Sequence, residues 1–135
     1  MANALYDKAR EKFLNGAISW SGDTIKMVLV DVADYTVDLA NHEFLSSIPA
    51  AARVATSAAL TGKTYANGVA NANNPTFTSV TGDPAEAVVI YKETGDAATS
   101  PLIAYIDNAG ALTVTPNGND IPVLIDTGSN KLFKL

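Results

Sequence analysis

Few residues in this chain have the type and spacing that chemistry requires, and each candidate group falls short for a different reason. The first is Val123-Leu124-Ile125-Asp126-Thr127-Gly128-Ser129, where a hydrophobic run delivers an aspartate into a turn rich in hydroxyls and glycine. Acid-catalysed hydrolysis on such a loop needs two carboxylates about 3 Å apart sharing one proton. One chain supplies a single Asp-Thr-Gly, so a second copy would have to bring the other. Only nine residues follow Asp126 in which to build a flap and a supporting sheet. The segment reads as a hairpin turn with Gly128 at positive φ.

Leu60-Thr61-Gly62-Lys63-Thr64 contains the Gly-Lys-Thr of phosphate-binding loops. The glycine needed five residues before Gly62 is Ser57, and no strand-loop-helix pattern surrounds the motif. A tight turn leading into a strand near Lys63 is expected instead. His42 is the only histidine, which rules out a His-rich metal site and leaves Ser-His-Asp catalysis resting on one residue in a surface turn beside Glu43. Asp31, Asp34 and Asp38 form an acidic stretch, yet they lack the alternating oxygen donors and glycine of a calcium loop. No catalytic, cofactor-binding or metal-ligating residue is assigned, no cofactor is expected, and the chain is read as a protein that is not an enzyme.

The elements that must hold these residues are easier to read. At 135 residues, the chain has the length of one domain spanning residues 1–135, with enough apolar sequence for a single core. Apolar residues make up 47% and charged residues 17%, far from the composition of disordered chains. Without cysteine, stability has to come from packing, backbone pairing or association. The net charge of −5, with basic residues scattered from Lys8 to Lys134, argues against nucleic acid as a partner. No apolar run approaches the roughly 18 residues of a membrane span, and Met1-Ala2-Asn3-Ala4-Leu5 lacks signal-peptide character. Synthesis in a cytoplasm is expected, with no membrane partner.

Residues 4–15 place Leu5, Ala9 and Phe13 on one stripe opposite charges, which predicts an amphipathic helix ended at Asn15-Gly16. From Thr24 the period changes to two, predicting a strand over residues 24–30 with at least one buried face. Short β-branched or aromatic runs at 76–80, 87–92, 102–107, 111–114, 121–125 and 131–135 alternate with turn signals such as Thr81-Gly82-Asp83-Pro84 and Asn117-Gly118. A further strand is expected from about Arg53, and a single helical turn within Asp38–Leu45. Pro122 places its strand on an edge or at a bulge. The fold class that follows is mainly β: a single antiparallel β-sandwich or barrel-like domain, with a short N-terminal α-helix before a β-rich body from about residue 24 to 135.

In this order of features the chain resembles small structural proteins of tailed-bacteriophage virions. The likeness is carried by Ala4-Leu5-Tyr6-Asp7-Lys8-Ala9-Arg10-Glu11-Lys12-Phe13-Leu14, Asp23-Thr24-Ile25-Lys26, Asp34-Tyr35-Thr36-Val37, Glu43-Phe44-Leu45-Ser46-Ser47-Ile48-Pro49, Arg53-Val54-Ala55-Thr56-Ser57 and Ile103-Ala104-Tyr105-Ile106-Asp107. It implies a place in the virion, assembled in the cytoplasm of a host bacterium. The position expected first is a capsid decoration or cement protein bound to the major capsid protein lattice. A neck, tail or baseplate subunit is the alternative, and a host-glycan-binding module ranks below both. A homo-oligomer, with a trimer as its expected order, suits the local threefold axes of such lattices. Leu5, Tyr6, Phe13 and Trp20 concentrate large apolar groups near one terminus and are the expected interface residues. The competing expectation is that the same helix covers the protein's own sheet.

Overall fold

A computed structural model describes residues 4–107, 112–125 and 131–135. The expected Asp126-Thr127-Gly128-Ser129 turn and Ala111 lie outside the described residues. Within them run strands β1 (Ala4–Leu5), β2 (Ile25–Val30), β3 (Arg53–Thr56), β4 (Thr64–Ala66), β5 (Val69–Asn71), β6 (Thr76–Phe77), β7 (Ala87–Lys92), β8 (Leu102–Ile106), β9 (Ile121–Pro122) and β10 (Phe133–Lys134), with helix α1 over Asp7–Leu14. The architecture is mainly β with one short N-terminal helix. Its strand pairs are antiparallel, and among the described residues the sheets do not close into a barrel.

Five strands form the central sheet in the order β1-β8-β7-β2-β3. Its inner strands are apolar runs of β-branched and aromatic residues, Ile-Lys-Met-Val-Leu-Val in β2 and Leu-Ile-Ala-Tyr-Ile in β8, which suit a pleated surface buried on both sides. Register follows: Met27 lies opposite Ile90 and Leu29 opposite Val88, while Val28 lies opposite Val89. Directly opposed residues share a face, so Met27, Leu29, Val88 and Ile90 pack on one side, with Val28 and Val89 on the other. All six are buried. The sequence pattern predicts at least one buried face, and the sheet has two.

The helix begins later than the apolar stripe suggested. Ala4 and Leu5 pair with Tyr105 and Ala104 as an edge strand of the central sheet, so they are not helical. Tyr6 stays extended, its amide donating to the Ile103 carbonyl, and the helix starts only at Asp7, whose amide donates to the Leu39 carbonyl. A spacing of four between Leu5, Ala9 and Phe13 cannot separate a helix from a strand that turns into one, because all three positions point inward either way. The far end matches expectation: Gly16 adopts φ +81°, and the Ala17 amide closes on the Lys12 carbonyl at 2.8 Å. The helix docks on β8 of its own sheet.

A three-stranded sheet, β10-β5-β4, stands beside the central one. Asn67 and Gly68, at φ +53° and +78°, make the two-residue turn between β4 and β5. Asn-Gly is the favoured pair for such a hairpin, a signal the sequence reading passed over. Trp20, in the segment between α1 and β2, packs on this smaller sheet. Its indole Nε1 donates to the Thr64 carbonyl at 3.0 Å, and its ring meets Phe133 edge-on at 5.3 Å. Strands β6 and β9 form a separate ribbon in which Thr76 faces Pro122, so the proline sits on an edge as expected. The strand from Arg53 and the strand following Lys63 are present as β3 and β4, while Asp38 and His42 close one helical turn through an amide-to-carbonyl bond of 3.0 Å.

Candidate functional site

Lys63 and His42, from two of the motifs that suggested chemistry, are bound up in structure. Lys63, the lysine of the Gly-Lys-Thr run, turns its ammonium onto the Asp23 carbonyl just before β2. Gly62 has φ +61°, and a Cβ there would come within 2.5 Å of the Asn73 side chain, so the glycine serves a close backbone approach. The hollow of about 220 Å³ beside it is lined by residues 58–61 and 73–76 and holds no cationic side chain for a phosphate.

His42 is part of a phenol chain. The Tyr6 and Tyr35 hydroxyls are 2.8 Å apart, and the Tyr35 hydroxyl lies 2.9 Å from His42 Nδ1. Burial, reinforced by the bond from Tyr35, pushes the Tyr6 phenol far above the ordinary tyrosine range, and burial likewise raises Tyr35. Both phenols therefore stay protonated. The imidazole is bonded to a phenol where a hydrolase triad would place a serine and a carboxylate, and the chain works as a polar bolt between β1, residues 35–42 and the sheet.

Asp31, Asp34 and Asp83 do come together, with carboxylate oxygens all within 4.8 Å of one another. Asp83 comes from the loop before β7, whereas Asp38, grouped with the first two by sequence, is not a member. Its carboxylate accepts from the Asn41 side chain and from the Ala40 and Asn41 amides, which together hold it below the usual carboxylate range. Asp31 is 7% exposed and accepts from the Ala33 amide at 2.9 Å, while Glu86 accepts from the Val32 amide at 3.0 Å. Three carboxylates fall short of the roughly six to eight oxygens that calcium takes. What they form is an acidic corner at the Val30 end of β2.

The four expected interface residues divide. Leu5, Tyr6 and Trp20 are buried in the core of the chain itself and do not stand on its surface. The reason is visible in their contacts: Leu5 is in the sheet, Tyr6 is bonded to Tyr35, and Trp20 packs on Phe133. Phe13 is half-buried, with its ring 6.1 Å from that of Phe133, and it alone reaches the surface.

The outward-facing apolar surface lies next to it. Leu14 is 89% exposed and Leu135 58%, and together with Phe13 and Arg10 they line a shallow hollow of about 250 Å³. On the three-stranded sheet, Tyr65 is 71% exposed. The other face of that sheet carries Thr64, Ala66, Val69, Asn71 and Lys134, which floor a second hollow of about 400 Å³ together with Asn67 and Lys131. Sequence periodicity could not find these surfaces, because Leu14 continues the helix pattern and only tertiary packing leaves it uncovered.

Among the described residues, no helix is long and apolar enough to cross a membrane. No protein-family model matches this chain, and no curated protein matches it.

Proposed function

We propose that this chain is a non-enzymatic structural subunit of a tailed-phage particle that works by binding other subunits, in first place as a capsid decoration protein on the major capsid lattice. The reading rests on the sequence resemblance for the particle. For the mode of action it rests on one observation: Leu14 and Leu135 stand exposed around a hollow beside the half-buried Phe13, while Lys63 and His42 are committed to internal bonds. Covering a leucine fully contributes about 1.5–3 kcal/mol, so a partner seated there gains from a small contact repeated many times on a lattice. The charges of the helix nearly cancel, with Lys8 bonded to Glu11, Arg10 to Asp7 and Lys12 to Glu43 outside it, which suits an attachment that depends weakly on salt.

Quantitative mass spectrometry of purified particles tests this reading. Hundreds of copies per particle are expected for a capsid decoration protein, and tens or fewer would move the assignment to neck, tail or baseplate. Complete absence from particles would end the structural reading. Leu14→Asp should leave folding intact and reduce the copies retained on particles.

A further inference from the structure

We infer that the outer face of the three-stranded sheet is a docking site for the acidic corner of a second copy of this chain, giving a head-to-tail contact. The inference rests on reading the chain as an assembling subunit and specifies how two copies meet.

The face is defined by register. Thr64 lies opposite Asn71, Ala66 opposite Val69, and Val69 opposite Lys134, so these five side chains share one side of the sheet, while Ala70 and Phe133 on the other side are buried. It is an unfinished surface in its charge. Lys134 is exposed and has no carboxylate within ion-pair distance among them, whereas Lys8, Arg10, Lys12, Lys26 and Lys92 all do. The sequence around it is free of acid, since no Asp or Glu occurs from residue 44 to 82 or from 131 to 135. Ala66 and Val69 give the hollow an apolar floor under a cationic edge.

The complement is on the same molecule, at its far end. Lys63 and Trp20 fasten β4 to the segment just before β2, whereas Asp31, Asp34 and Asp83 cluster just beyond Val30. The six residues of β2 span about 20 Å at 3.3 Å per residue, which sets the acidic cluster at the opposite end of β2 from the segment that holds β4. Asp34 and Asp83 are exposed and have no Lys or Arg partner among the described residues. Val32, exposed between Asp31 and Asp34, adds an apolar tip to the acidic corner. An exposed valine beside the exposed carboxylates of Asp34 and Asp83 complements an apolar floor edged by an ammonium. Because the two surfaces differ, the contact is heterologous, and it closes into a ring such as a trimer or continues as a chain.

The test uses the purified full chain, with self-association measured by sedimentation equilibrium and folding by thermal melting. Wild type is expected to associate in low salt and to dissociate near 1 M salt, where the Debye length falls to about 3 Å. Lys134→Glu and Asp34→Lys should each weaken association about tenfold or more without lowering the melting temperature, and Asp83→Lys gives an independent check of the acidic side. The double variant D34K/K134E, which restores opposite charges across the contact, should recover association. A wild type that stays monomeric at its highest soluble concentration, single variants that associate like wild type, or a double variant no better than the singles would each overturn the docking site. These readouts do not depend on particle binding, so their failure is separate from absence of the protein from particles.

Discussion

The central sheet and the three-stranded sheet are both antiparallel, and both lean on aromatic residues, yet they treat their side chains in opposite ways. Every residue of β8 and all but the last of β7 are buried, whereas all three residues of β4 are exposed. The central sheet has a helix and loops to cover it; the smaller one is covered on one face only and joined to the rest through Trp20, Phe133 and Lys63. The first arrangement spends nearly all of its apolar surface on folding. The second leaves one face uncovered, the face proposed above to meet another copy.

The junction between them is the place to break this contrast most severely. Trp20→Ala removes a buried indole, its edge-on contact with Phe133 and its bond to the Thr64 carbonyl, and should cost about 3–5 kcal/mol by denaturant unfolding. Hydrogen exchange should show β4 and β5 losing protection before β7. A loss below about 1 kcal/mol would mean that the small sheet is held by something else.

A smaller effect is expected where the central region relies on a polar bolt. Tyr35→Phe deletes the partner of both the Tyr6 hydroxyl and His42, leaving the Tyr6 hydroxyl buried without a bond, at about 1–3 kcal/mol. Equal stability of the variant and the wild type would show that the bolt contributes nothing.

The same phenols give the central region a pH signature. Burial, with Tyr35 or Glu93 adding to it, raises Tyr6 and Tyr91 in the folded state. A raised folded-state pKa stabilises the fold fully below the unfolded phenol's value of about 10, and that stability is lost as pH rises through the folded value. Denaturant midpoints should therefore hold up to about pH 10 and fall steadily beyond it. Tyr6→Phe should flatten the decline, and a midpoint indifferent to alkaline pH would remove the argument. Glu93 points the other way: the Gly95 amide, with Tyr91 and Lys26 assisting, holds its carboxyl below the usual range against partial burial, so its contribution fades as pH falls through that depressed value.

The least effect belongs to the exposed region. Tyr65→Ala should change stability by no more than about 0.5 kcal/mol, because its side chain is mostly in water. A larger loss would place Tyr65 in the core and erase the contrast.

How much of this was legible in the chain depends on whether a feature is local. The end of α1 at Gly16, the strands β2, β7 and β8 and the edge position of Pro122 follow from local pattern and backbone chemistry, and the structure agrees. The strand at Ala4–Leu5 does not, because a helical stripe and a strand leading into a helix place Leu5 and Ala9 inward alike. The Asn67-Gly68 hairpin was readable and was missed. The surfaces were harder. Leu5, Tyr6 and Trp20 are as large and apolar as interface anchors, and residue type alone does not tell a buried anchor from an exposed one. The acidic corner needed Asp83, supplied by a distant loop that no spacing within Asp31–Asp38 reveals.

The proposed place in a phage particle is tested most directly by imaging. A cryo-electron microscopy map of intact particles, compared with particles made without this gene, should show additional density for a domain of this size on the outer capsid surface, with Leu14 and Leu135 against the lattice and the Lys134 face of one copy against the Asp34 corner of the next. Identical maps, with the protein absent from the purified particles, would contradict it.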